Sequence, residues 1–163
     1  MEGDNNLNTN FKLYFHDPDS YNWSKESYVE LYNIKSIEDY WITQKRISDV
    51  VHQGMFFIMR ENIFPLWDNE ENKKGCTFSF KILKSDAKSF WEKFTVLLLS
   101  DNLVKDNKEK KKINGISISP KKNFCIIKIW LNDNRYVLTR EEVRERFEIP
   151  NNYEGEIIIK SNS

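Results

Sequence analysis

Glycine is scarce, at five residues in 163. Loops that cradle phosphate on backbone N–H groups are glycine-rich, and the chain has no G-x-G-x-x-G or G-x-x-x-x-G-K pattern. Cysteine is scarcer still. Cys76 and Cys125 are the two present, and neither stands at metal-ligand spacing. The two histidines, His16 and His52, form no metal-type pair and read as surface or partly buried imidazoles. No metal and no cofactor is therefore expected. With so few cysteines there is no disulfide framework, which fits a reducing compartment. There is no nucleophile elbow, and no two carboxylates share an apolar setting, so the chain does not read as an enzyme. Net charge is absent too, with 25 basic residues against 25 acidic. Proteins that coat a nucleic acid backbone are strongly basic, which argues against a grip on long RNA or DNA. A short anion such as a di- or triphosphate needs only a few local lysines. No apolar run is long enough to span a bilayer. The opening residues are acidic and polar and carry no secretory pattern, so a cytoplasmic protein is expected.

What remains is a chain suited to one compact domain with a substantial core. Residues 1–10 read as a disordered tail and 11–163 as a single domain. Alternation marks strands at 11–15 and 28–32, and another where Phe78, Phe80 and Ile82 share one face; 55–60 is a short apolar strand, 113–119 and 124–131 flank a hairpin turn at 120–123, and 156–160 is a last strand. Ser36 and Asp39 are spaced as a capping box, with Ile37, Tyr40, Trp41, Gln44 and Ile47 on one helical face. Ser85 is placed to cap a second helix carrying Phe90, Trp91, Phe94, Leu97 and Leu98. Thr139 and Glu142 form another capping box, with Leu138 and Val143 as its staple. The Lys-rich run 101–112 reads as a solvated loop. Isolated helices among hairpins predict an α+β domain, an antiparallel sheet with helices on one face.

The tryptophans divide into two kinds. Trp41 and Trp91 lie at helical spacing, as core residues or partner anchors. Trp23 and Trp67 sit in segments rich in Asp, Asn, Pro and Ser. A tryptophan in such a loop either plugs the edge of the core or receives a flat ligand. In 124–131, Cys125, Ile127, Ile129 and Leu131 face the helices, leaving Ile126, Lys128 and Trp130 on the other face. Two indoles can stack on both sides of a planar base, and a cationic base adds cation–π attraction. Asp68, next to Trp67, offers a carboxylate to adjacent N–H donors such as guanine N1–H and its 2-amino group. N7-methylguanine, flat and cationic with a phosphate tail, satisfies each requirement.

Three blocks resemble the translation initiation factor 4E family of mRNA cap-binding proteins. The most specific is Ile63-Phe64-Pro65-Leu66-Trp67-Asp68 followed by acidic residues and Asn72-Lys73-Lys74-Gly75. It is similar to the family's Ile-x-Pro-Met-Trp-Glu and Asn-Lys-x-Gly. Ser36-Ile37-Glu38-Asp39-Tyr40-Trp41 resembles Thr-Val-Glu-Asp-Phe-Trp. Asn114-Gly115-Ile116-Ser117 leading to Ile127-Lys128-Ile129-Trp130 is the third. The resemblance implies a curved antiparallel sheet with about three helices on its convex face and the cap on the concave face. It implies stacking by Trp67 and Trp23 (Tyr21 being the alternative second ring), Trp130 at the N7-methyl group, Asp68 on the guanine edge and Lys121 on phosphate. It also implies a scaffold or repressor peptide on the helical face, contacting Ile37, Trp41 and Val96. The expected state of the protein alone is a monomer.

The chain departs from the family pattern in places. Asp68 is one methylene shorter than the family's glutamate. Ile126 stands where the family has a phosphate-binding lysine, for which Lys128 or Lys122 would substitute. Glu92 replaces a usual apolar contact, and the chain ends soon after its last strand, without most of the family's C-terminal loop. The expected function is cap binding that recruits a scaffold for translation initiation. The alternatives are a cap-binding repressor and an interaction module that has lost the cap.

Overall fold

A computed structural model describes residues 6–162. Seven strands make one curved antiparallel sheet: β1 (Asn6–His16), β2 (Tyr28–Ser36), β3 (Met55–Arg60), β4 (Cys76–Leu83), β5 (Ile113–Pro120), β6 (Phe124–Leu131) and β7 (Ile157–Ser161). Their order across the sheet is β2-β1-β3-β5-β6-β4-β7. Three helices, α1 (Ile37–Ile47), α3 (Ala87–Leu99) and α4 (Arg140–Arg146), back the convex face, and a single-turn α2 (Glu70–Lys73) follows the Trp67 loop.

Alternation sets the two faces. Phe78, Phe80, Ile127 and Ile129 point to the helices and are fully buried against Trp91, Phe94 and Leu98 of α3. Burying each such side chain contributes about 1.5–3 kcal/mol, so this layer is the main source of stability. The opposite, concave face carries a smaller apolar cluster of Tyr14, Phe57, Met59, Ile63 and Trp130, with Tyr28 and Phe64 leaning on it. The chain therefore has a second, thinner core under its concave surface. Gly75 is required where β4 begins, because a Cβ there would stand 1.7 Å from the Leu131 carbonyl oxygen.

Four sequence expectations need correction. The disordered tail was expected over 1–10, yet Asn6–Asn10 belong to β1; residues 1–5 lie outside the described residues. The 101–112 run is not a plain solvated loop. Asp101, Leu103 and Val104 are buried, and Asn107–Lys112 forms a 3-10 helix. Leu103 and Val104 join the main apolar core, and Arg60 links the two segments. Its guanidinium donates to Thr9 Oγ1 (2.6 Å), the Ile113 carbonyl (2.7 Å) and the Lys110 carbonyl (2.8 Å), and pairs with Asp101 (3.4 Å). Asn8 Nδ2 donates to the same aspartate at 3.2 Å, so polar residues of β1 and of the segment leading into β5 are ordered around one buried cation.

The remaining two corrections concern helix starts. Asp86, not Ser85, is the N-cap of α3, after a 3-10 turn over Lys84–Asp86. At α1, Ser36 Oγ accepts from Asp39 N, but the Asp39 carboxylate accepts from Lys35 N rather than Ser36 N, so the box is not reciprocal. The Thr139–Glu142 box at α4 closes in both directions.

Candidate functional site

The concave face holds a cavity of about 510 Å³ between two loops. The first loop joins β1 to β2. Its bends are held by short side chains: Asp17 Oδ1 accepts from Asp19 N, Ser20 Oγ from Asn22 N, and Asn22 Oδ1 from Ser24 N. Such local bonds are why Asp, Ser and Asn cluster in turns. At its end Trp23 lies parallel on the His16 ring, with centroids 4.0 Å apart. The histidine was expected to be a surface or partly buried imidazole and is instead fully buried. Its Nε2 contacts the Asn22 carbonyl oxygen at 2.7 Å, so that nitrogen carries the proton and donates.

The second loop joins β3 to β4 and carries Trp67 and Asp68. Asn72, fully buried at the start of the return, organises it. Its Nδ2 donates to the carbonyls of Phe64 (2.9 Å) and Leu66 (2.8 Å), and its Oδ1 accepts from Asn114 Nδ2 (2.7 Å). Asn114 in turn accepts from Asn132, and Asn162 donates to the Asn72 carbonyl. A ladder of asparagines thus fixes the backbone that presents Trp67. Phe64 ties the two loops together, edge-on to Tyr14 and Tyr28, with the Lys25 ammonium 5.1 Å over its ring.

The floor is Trp130 and Phe57. The Trp130 indole N–H donates to Ser117 Oγ at 3.0 Å, which satisfies its polar atom and fixes the ring in plane. Of the residues singled out from sequence, the cavity brings together Trp23, Trp67, Asp68, Trp130 and Lys128. Trp23 and Trp67 remain 47% and 63% exposed, so neither is a core plug. Tyr21 is 96% exposed and does not line the cavity, which sets it apart from Trp23. Lys121 and Lys122 are exposed at the β5–β6 turn and do not line it either. Sequence reading missed Tyr28, which lines the cavity. Burial first, and the Asp68 charge second, push its phenol up to about 12, so it is a neutral hydroxyl beside the carboxylate.

On the convex face Ile37, Trp41 and Val96 come together with Tyr40 and Leu99 around a pocket of about 150 Å³. Ile37, Trp41 and Val96 are 48%, 46% and 38% exposed. The groove continues past Glu92 and Leu97 to Pro150. Two neighbouring helices that bring the exposed Ile37 and Trp41 of α1 beside the exposed Val96 of α3 present an apolar stripe to solvent.

The Eukaryotic initiation factor 4E family model matches residues 6–158. The chain belongs to that family. The initiation factor 4E relatives include eukaryotic translation initiation factor NCBP of Triticum aestivum, 21% identical over 136 residues, which are 79% of this chain and 57% of that protein. The initiation factor 4E homolog of Acanthamoeba polyphaga mimivirus is 34% identical over 86 residues, 53% of this chain and 29% of the homolog. The chain thus spans little more than half the length of the plant relative and less of the viral one. Schistosome eIF4E, solved in complex with m7GpppG and 4E-BP, has a TM-score of 0.76 at 18% identity, covering 95% of this chain and 87% of that one. At that identity the likeness is one of fold. No helix among the described residues is long and apolar enough to cross a membrane.

Proposed function

We propose that the protein binds the N7-methylguanosine cap at the 5′ end of mRNA and acts in translation initiation in the cytoplasm, as a binding protein without turnover. One observation carries the reading: two half-exposed indoles, Trp23 and Trp67, line one cavity with a carboxylate, Asp68, beside the second. The methylated base enters between the indoles, where stacking contributes about 1–3 kcal/mol and the positive charge adds cation–π attraction. Asp68 accepts from N1–H and the 2-amino group. Trp130 closes the floor against the N7-methyl group, and Lys128 on the same wall meets the first phosphate. Lys121 and Lys122 stand further out, toward the more distal phosphates.

The convex groove of Ile37, Trp41 and Val96 takes a short helical peptide of a scaffold or repressor. The solved schistosome relative carries both kinds of ligand, m7GpppG and 4E-BP, which supports the pairing of the two sites.

The test is a titration with N7-methylated GTP, followed by tryptophan fluorescence, with GTP as the control. Saturable quenching by the methylated nucleotide at concentrations where GTP gives none supports the reading, and Trp67→Ala should abolish it. Equal responses to both nucleotides, or none to either, would remove the cap.

A further inference from the structure

Two polar groups that line the concave cavity are uncommitted, and they are of opposite kind. Asp68 offers only acceptors, and among the described residues its carboxylate has no ion-pair partner. The Tyr28 hydroxyl offers a donor, and among the described residues it makes no hydrogen bond. Burial and the Asp68 charge hold its phenol up at about 12, so it keeps that proton at neutral pH.

The Tyr28 ring is held from three elements. It pairs with His16 in the β1–β2 register, and the two rings lie 4.8 Å apart. Phe57 of β3 and Phe64 of the β3–β4 loop stand edge-on to it at 5.5 and 5.3 Å. Only the O–H rotor remains free to seek a partner. Phe57 is also edge-on to Trp130, with centroids 6.2 Å apart. Trp130, Phe57 and Tyr28 therefore run as a row of rings along the cavity, and the Asp68 charge acts at the Tyr28 end of it.

Guanine presents a row of its own. Next to N7 stands an acceptor, O6, followed by two donors, N1–H and the 2-amino group. A carboxylate serves the two donors and cannot serve O6. With the N7-methyl group against Trp130 and the two donors on Asp68, O6 lies between them. Lys128 is occupied with phosphate in this arrangement, which leaves the phenol beside Asp68 as the side-chain donor for O6.

We propose that Tyr28 reads the base: its hydroxyl donates to O6 of the bound N7-methylguanine while Asp68 accepts from N1–H and the 2-amino group. The inference rests on the cap-binding reading and adds to it a specificity residue that no sequence pattern marked. A donor beside an acceptor pair matches the guanine edge. The same donor opposes adenine, which turns an amino group toward it at position 6. Sites built to hydrogen-bond a base reject analogues that leave a buried polar group unpaired.

Calorimetric titration of wild type and Tyr28→Phe tests this. The probes are the monophosphates of N7-methylguanosine, its 6-thio analogue, N7-methylinosine and unmethylated guanosine. Phenylalanine keeps the ring and its packing and removes the hydroxyl. Sulfur at position 6 is a poor hydrogen-bond acceptor, and inosine keeps O6 while lacking the 2-amino group. Tyr28→Phe should bind the N7-methylguanosine probe about tenfold more weakly, as one lost bond to a buried acceptor implies. N7-methylinosine should lose the same factor from a weaker start. The 6-thio analogue should bind both proteins alike, so the preference of wild type for oxygen over sulfur vanishes in the variant. A residue that only shaped the cavity would weaken every probe equally and leave that preference intact, which overturns the proposal. Unchanged binding of N7-methylguanosine overturns it as well. So does a loss seen with guanosine and absent with inosine, which would place the hydroxyl on the 2-amino group. A wild type that prefers the methylated base, with no Tyr28 effect, keeps the cap and removes this role. A wild type indifferent to methylation, whose preference for oxygen over sulfur still vanishes in Tyr28→Phe, keeps the O6 contact and removes the cap.

Discussion

The Trp23 indole lies on the His16 imidazole with ring centroids 4.0 Å apart and 4° between the planes. One face of Trp23 is thus supported before any ligand arrives, and the ring is held upright on a loop that would otherwise let it turn. The support is itself anchored, because His16 is in β1 and donates from Nε2 to the Asn22 carbonyl.

His16→Ala should therefore weaken the methylated nucleotide without touching any ligand atom. An aromatic pair of this kind is worth about 0.5–1.5 kcal/mol beyond its buried area, and a loosened Trp23 should lose about three- to tenfold in affinity. Tyr21→Ala, at an exposed ring outside the cavity, should change nothing. Fluorescence titration of the two variants reads this directly. A larger loss in Tyr21→Ala than in His16→Ala would make Tyr21 the second stacking ring.

Asp68 and Tyr28 make a second coupled pair. Asp68→Asn keeps the shape of the acceptor and removes its charge. Hydrogen bonds to a charged group contribute about 1.5–3 kcal/mol, so the variant should bind the methylated base at least tenfold more weakly. The same change should lower the Tyr28 pKa from about 12, since the Asp68 charge is one of the two causes that raise it. The sign for stability follows from the raised value. The folded state holds the phenolic proton more tightly than the unfolded chain, so the contribution is complete below about pH 10 and is lost as pH rises through 12. Thermal unfolding between pH 8 and pH 12 should show a shallower alkaline decline in Tyr28→Phe than in wild type. An identical decline in both would remove Tyr28 from the titration.

How much of this was legible in the sequence varies by element. Strict alternation of Phe78, Phe80 and Ile82 marked β4, and the spacing of Thr139 and Glu142 marked α4, because both signals are local. The Asn6–Asn10 part of β1 was invisible, since its polar residues are ordered by Arg60 and Asp101 from distant segments. The Lys-rich run concealed Leu103 and Val104 for a different reason, since two residues buried in the main core are outnumbered there by charged neighbours. At the site, Trp23, Trp67 and Asp68 stood out as aromatic and acidic residues in polar loops. Tyr28 and His16 did not, because only strand register shows which face each occupies.

The asparagine ladder makes a separate claim about the Trp67 loop. Asn72→Ala would leave the Phe64 and Leu66 carbonyls and the Asn114 amide without their present partner. Each buried polar group left unsatisfied costs about 1–3 kcal/mol. For a domain of this size a loss of that order lowers Tm by about 4–10 °C. If the ladder also holds the loop, the residual folded protein should bind the methylated nucleotide more weakly at 10 °C, where folding is still complete. A lowered Tm with unchanged affinity would restrict Asn72 to stability.

The convex groove can be separated from the concave cavity by one substitution. Trp41 stands edge-on to Tyr40, ring centroids 5.0 Å apart, and nearly half of it is exposed. Removing an exposed indole costs the fold little, because Tyr40 keeps its own buried bond to Thr95. Removing it from an occupied groove is expensive, since tryptophans at interface centres contribute about 2 kcal/mol or more, roughly thirtyfold in affinity. Trp41→Ala should therefore abolish capture of a 4E-BP-type peptide while the methylated nucleotide binds as in wild type. Peptide anisotropy and nucleotide fluorescence on the same preparation measure the two sites side by side. Glu92, which lines the same groove, adds a sign to the prediction: a peptide with lysine or arginine facing it should bind more tightly than its glutamate counterpart. Equal peptide binding by wild type and Trp41→Ala would leave the stripe of Ile37, Trp41 and Val96 without a role in partner capture.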